Sequence, residues 1–189
     1  MSRIKGLHAN LIKKQFERAL KKKDYAFFNG GKYNLNIIGV RNASRDPTEF
    51  DDTLVVIYKN SDEKWEVLTY EITTEPGPSI LRKPINPEGT AILMPGQYRG
   101  VYKVGLHGGS YRHTALVQRN GPVKVYRDTN KNTAIELETD SIQEGMFGIN
   151  IHRHAQSNEK EYVRGSSAGC QVFKDSRQFA QFLETCNKS

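Results

Sequence analysis

"TLVVIYKNSDEKWEVLTYEITT", residues 53–74, is the stretch that decides the architecture. Two runs rich in β-branched and aromatic residues, 53–60 and 64–74, flank the polar turn Asn60-Ser61-Asp62-Glu63. Val, Ile, Tyr and Trp suit a pleated surface and the turn residues do not, so the pattern predicts a β-hairpin. The same signature recurs outward in both directions. "YNLNIIGVRN" (33–42) precedes it as a strand. "EPGPSILRKPINPEGT" (75–90), with its four prolines and two glycines, reads as loop. "AILMPGQYRGVYKVGLHGG" (91–109) reads as strand, turn, strand. "HTALVQRN" (113–120) and "VKVYRD" (123–128), joined at Gly121-Pro122, read as a second hairpin, and "GMFGINIHRH" (145–154) as a further strand.

Helical spacing occurs only at the two ends. Ile4, Leu7, Leu11, Ile12, Phe16, Ala19 and Leu20 recur at three and four, which predicts an amphipathic helix over 3–23. Near the C-terminus Asp175 is placed to cap a helix, with Gln178 three residues on. Phe179, Phe182, Leu183 and Cys186 then form one apolar face, so Cys186 reads as a core thiol. The fold class is therefore mainly β, α+β, with an N-terminal amphipathic helix and a C-terminal helix. At 189 residues the chain suits one domain, divided here into a basic N-terminal helix, 1–28, and a β-rich body, 33–189.

The charge sits at one end. Of a net +7, the first 24 residues supply six: eight Lys and Arg against Glu17 and Asp24. A cationic segment on a near-neutral body suits an anionic polymer such as nucleic acid, acidic lipid or cell-wall glycan, or is a solvated face. The strands lack the basic-aromatic interleaving of a nucleic-acid platform, which argues against that partner. No apolar run approaches the roughly 18 residues of a membrane span, and the start lacks a signal-peptide core. The chain reads as cytoplasmic when made, acting elsewhere only after release or delivery. Two cysteines 16 positions apart give no disulfide framework.

Chemistry concentrates in "INIHRHAQSNEKEYVRGSSAGCQVF", 149–173, which carries two of the five histidines and Cys170. A cysteine nucleophile needs a base, oxyanion donors and open backbone around it. His152 at a strand end is the candidate base, with His154 the alternative. Gly169 removes any side chain before Cys170, and Ser166, Ser167 and Ala168 are small enough for a tight turn aiming N–H groups at one point. The N–H of Cys170 and that of Gly169 are the candidate oxyanion donors. The polar segment 155–164 suits a loop over a cleft. A buried packing thiol is the competing reading.

This stretch resembles the L,D-transpeptidase family, whose pattern is a histidine, a spacer, then Ser/Thr-His-Gly-Cys. Ser167, Ala168, Gly169 and Cys170 occupy the second block; the 14 residues 153–166 separate it from His152, inside the family's 14 to 17. "TYEITTEPG" (69–77) is similar to the family's Thr-Pro-x-Gly segment, and "GINIHR…SAGCQVF" to variants encoded by tailed phages. Ala168 stands where the family usually has His, and Val172 where it has Arg or Asn. The resemblance spans about 50–186 and implies a β-sandwich catalytic domain acting on peptidoglycan stem peptides without a cofactor. Cys170 would attack the carbonyl of the third stem residue and His152 would serve as base. Gly169 and Ser167 would complete the catalytic turn. Arg153, His154 and Arg164 are candidates to hold substrate. Without a visible anchor the hydrolytic, endolysin-like use is favoured over crosslinking. A non-catalytic wall-binding or virion protein and a general cysteine protease stay open.

Two further patterns are weaker. Asp128, Asn130 and Asn132 alternate like a calcium loop but lack its Gly and its Glu at the required places, so a polar turn is the better reading. His107 and His113 have no cysteine or carboxylate at ligand spacing, which does not support zinc.

Overall fold

The computed structural model describes residues 1–108, 112–137, 139–154 and 161–189. It is mainly β, in two sheets, with a helix near each end. The elements in chain order are β1 (Ser2–Lys5), α1 (Gly6–Lys22), β2 (Asn36–Val40), β3 (Asp52–Lys59), β4 (Trp65–Thr73), α2 (Pro78–Arg82) and β5 (Thr90–Leu93). They continue with β6 (Tyr102–His107), β7 (His113–Gln118), β8 (Val123–Asp128), β9 (Gln143–Gly145), β10 (Ile151–Arg153), β11 (Gln171–Phe173) and α3 (Ser176–Cys186).

The large sheet runs β2-β3-β4-β11-β10-β7-β6, and β1 pairs with β4 beside β11. The expected 53–74 hairpin is its longest pairing, with Asp52 opposite Ile72 and Lys59 opposite Trp65. Its turn is tied by the Asn60 side chain, whose Oδ1 accepts from the N–H groups of Asp62 (2.9 Å) and Lys64 (3.0 Å). The small sheet is β5-β8-β9. Its Ala91, Val123 and Val125 bury against Val101 and Ile149. The main core lies under α3, where Phe179, Phe182 and Cys186 pack on Tyr70, Ile72 and Phe173. Cys186 is a core thiol, and the Asp175 side chain caps α3 by accepting from the Arg177 N–H at 2.7 Å.

Several expectations change. The second hairpin does not form: β7 pairs with β6 and β10, while β8 belongs to the small sheet. Likewise β5 and β6 part into different sheets. Two short apolar runs with a Gly-Pro corner between them look alike whether the chain turns back or crosses to another layer. The proline-rich 75–90 segment holds the short helix α2, with Pro78 at its first position, where a missing N–H costs nothing. Residues 3–5 are strand, not helix. Ile4 lies opposite Val67, and Gly6 at φ +66° separates strand from helix. The basic segment is thus built into the large sheet rather than appended to it. Leu7 and Leu11 are exposed; the buried stripe of α1 is Ala9, with Ile12 and Phe16 packed on Val55, Ile57 and Val67. The 128–136 segment is a polar turn, with the Asn132 and Ala134 N–H groups donating to Asn130 and Asn132 side chains.

Phe182, fully buried between Tyr70 and Phe173, carries α3 onto the sheet. Phe182→Ala is expected to cost about 3–5 kcal/mol, read as a lower urea midpoint.

Candidate functional site

β10 and β11 are parallel neighbours in the middle of the large sheet, His152 opposite Val172. Cys170 directly precedes β11, two positions before the residue facing His152. The register thus sets Cys170 just outside β11, on the chain segment that continues into that residue.

The turn before Cys170 is internally braced. The Ser167 hydroxyl donates to the Cys170 carbonyl (2.8 Å) and accepts from the Gly169 N–H (3.1 Å). The Gly77 N–H donates to the Ser167 carbonyl at 3.0 Å, and the Gln171 N–H to that of Asn150 at 2.8 Å. Gly169 adopts φ +114°, and a Cβ there would collide with the Ala91 carbonyl, so only glycine fits. The Pro-Gly loop after β4 abuts the turn, with Gly77 against the Arg164 carbonyl. One expectation is corrected here: the Gly169 N–H is committed to Ser167 and is not a free oxyanion donor. The Cys170 N–H makes no hydrogen bond among the described residues. Ser167, fully buried, shapes the turn and does not touch the sulfur.

His152 is 6% exposed. Its Nδ1 lies 2.7 Å from the Arg153 carbonyl, which can only accept, so Nδ1 carries the proton and Nε2 is left as the acceptor. Its ring stacks on His107, centroids 4.2 Å apart and planes at 18°, with His113 at 5.9 Å. Burial, then His107, pushes the imidazole down to about 3. The Cys170 sulfur accepts from the Asn150 N–H and donates to the Gly148 carbonyl, both at 3.4 Å. Burial pushes its thiol up to about 11. No hydrogen bond joins Cys170 to His152, and both rest neutral. The two therefore do not form a standing thiolate–imidazolium pair.

The other candidates separate. His154 Nε2 donates to the Lys174 carbonyl at 2.6 Å, and its ring lies 6.5 Å from Phe50. It braces β10 against β11, which argues against a part as base or substrate ligand. The half-buried Arg153 donates to the His154 carbonyl at 3.1 Å. Arg164 is exposed. Val172 is fully buried with Phe50, Val163 and Cys170 and offers no carboxylate grip. The loop expected over the cleft falls at 155–160 outside the described residues.

Sequence reasoning missed the supporting groups. Asn150 holds Cys170 with its main chain and His107 with its amide. Spacing along the chain presents His107 and His113 only as metal-ligand candidates, yet they gather around His152; among the described residues no group of three or more His, Cys, Asp or Glu is arranged for a metal. Glu75, two residues before Gly77, is 1% exposed and ion-paired with Arg41 Nε at 2.9 Å. The Arg41 guanidinium donates its hydrogens to Thr74 Oγ1, the Thr74 carbonyl and the Leu93 carbonyl instead. Burial pushes the Glu75 carboxyl up to about 7 despite Arg41. Comparison with protein-family models, curated proteins and solved structures returns no match for this chain.

Glu75 supplies a pH signature. The unfolded carboxyl releases its proton near 4.5 and the folded one near 7, so its contribution is full below pH 4.5 and fades as pH rises to 7. Glu75→Gln lacks this fade. Urea unfolding across pH 4.5–7 is expected to show the variant gaining on wild type by up to about 3 kcal/mol, and parallel curves would rule the shift out.

Proposed function

We propose that the protein is a cysteine-dependent enzyme of peptidoglycan stem peptides, working by L,D-transpeptidase-like acyl transfer and used hydrolytically, as in a phage endolysin. The observation carrying this reading is the His152 Nδ1–H bond to the Arg153 carbonyl, which leaves Nε2 as a base on the strand beside Cys170. The Cys170 N–H, uncommitted and flanked by Gly169, is the oxyanion donor.

In the first step Sγ attacks the carbonyl carbon of the third stem residue while His152 Nε2 takes the thiol proton. The C–N bond then breaks, the proton passes to the departing amine of a D-amino acid, and a thioester remains. In the second step water attacks the thioester, giving a proton to His152. The C–S bond breaks and the thiol regains its proton. An amine from a second stem in place of water would yield a crosslink. Its exposure favours Arg164 over Arg153 as the cation that pairs with a substrate carboxylate. On this reading the enzyme is made in the cytoplasm and meets the wall after release. Lys14, Arg18, Lys21, Lys22 and Lys23 are all exposed on or just after α1 and serve to dock the anionic wall.

A second reading has its own support. The neutral thiol packed among Phe50, Val163 and Val172 also suits a wall-binding or virion protein in which Cys170 only fills space.

Mass spectrometry of muropeptides from purified sacculi separates the two. Wild type is expected to release D-amino acids and shorten stems, and Cys170→Ala to leave them intact; identical sacculi would remove the enzymatic reading. Replacing Lys21, Lys22 and Lys23 with Gln is expected to reduce pelleting with sacculi at low salt and converge with wild type at high salt. Unchanged pelleting would remove the docking role.

A further inference from the structure

Around the proposed dyad three histidines from three strands meet, and only one has a task in the reaction. His107 ends β6 and His113 begins β7, paired with each other across the hairpin. Their rings are 5.2 Å apart. His107 lies nearly parallel to His152 at 4.2 Å, whereas His113 is tilted to both and faces Phe179 at 6.1 Å.

The orientation of His107 is fixed by a chain of hydrogen bonds that begins in the main chain. The Gln118 N–H donates to Asn150 Oδ1 at 2.9 Å. This bond decides which end of the Asn150 amide is which, so Nδ2 is the end facing His107. Nδ2 lies 2.9 Å from His107 Nδ1 and can only donate, so that nitrogen must accept. His107 is therefore neutral in this state, with its proton on Nε2. A second proton on Nδ1 would break the Asn150 bond. The same Asn150 gives its main-chain N–H to the Cys170 sulfur. One residue thus sets the sulfur with its backbone and His107 with its side chain.

We propose that His107 is a positioning residue for His152: clamped by Asn150, its ring covers one face of the imidazole and holds the plane in which Nδ1–H meets the Arg153 carbonyl and Nε2 is left as proton acceptor. This deepens the proposed reaction and rests on His152 being its base. The stack excludes water from that face, which disfavours the imidazolium before substrate arrives. The titratable and charged groups around the His152 ring are His107 from β6, His113 from β7 and Arg153 beside it; the β11 residue opposite, Val172, is apolar. His152 Nδ1–H donates to the Arg153 carbonyl, the one hydrogen bond at that nitrogen among the described residues, so the tautomer has one anchor and the stack supports the ring plane.

Two variants of the full chain separate the ring from its hydrogen bond. His107→Gln keeps an acceptor for Asn150 and removes the stack. His107→Phe keeps the stack and removes the acceptor. Long-range proton–nitrogen spectra of the histidine rings report the tautomer and titration of His152 whether or not the protein turns over any substrate. His107→Gln is expected to raise the His152 titration by about one pH unit or more, and His107→Phe to leave it near wild type. In muropeptide release the acid limb of the rate profile is expected to move up with His107→Gln only. If His152 titrates alike in all three proteins, or rises equally in both variants, His107 does not position it. Should wild type and Cys170→Ala both lack activity, the reaction assignment falls, and the ring spectra still decide the role of His107.

Discussion

The parallel pairing of β10 with β11 is the constraint on which the rest depends. Three residues on each strand make it, too few to hold without support on both flanks. The flanks supply it: β4 pairs with β11 through Thr73 and Ile72, and β7 with β10 through Leu116. Ile151 and Phe173 add apolar anchors in the core under α3. Just before β11 a tight turn aims the chain into the sheet. Ser167 and Gly169 make that turn, the first with its hydroxyl and the second by lacking a side chain.

Around this pair the polar groups are tightly committed. Gln118, 1% exposed, spends its amide on Gly121, Gly145 and Ile149, and its main-chain N–H on Asn150. Asn150 passes that order to Cys170 and His107. Buried amides that satisfy both ends in this way rigidify their surroundings, since any rotation leaves a donor or acceptor unpaired in a dry setting. The thiol and the imidazole, by contrast, have their charged forms disfavoured by the same dryness.

Much of the frame was legible in the sequence. The 53–74 hairpin and the α3 stripe with Asp175 and Cys186 follow from local patterns of period, cap and turn. What was not legible is non-local. Whether "HTALVQRN" and "VKVYRD" pair with each other or part into two sheets depends on which partners lie elsewhere, and Gly121-Pro122 suits both. The grouping of His107 and His113 with His152 depends on β6 and β7 lying beside β10, which no spacing along the chain encodes. The strand at 2–5 was hidden because Ile4 continues the helical period of α1. Gly169 was read as an opening for substrate, and its deeper reason, the Ala91 carbonyl against its α-carbon, comes from the other sheet.

The place of β11 bears on how the molecule assembles. It is the last strand in the chain order, yet it lies between β4 and β10 at the centre of the large sheet. On a ribosome β1, β2, β3 and β4 emerge first and pair with one another. β1 covers only Glu66–Thr69 of one β4 edge, and Ile72 and Thr73 wait for residues 172 and 173. During synthesis a half-open edge is therefore on display for about a hundred residues of elongation, on the order of ten seconds at typical rates. Unpaired edges of this kind invite pairing with other chains. The cationic β1–α1 segment packs on β4 beside that edge, so two copies meeting there bring like charges together.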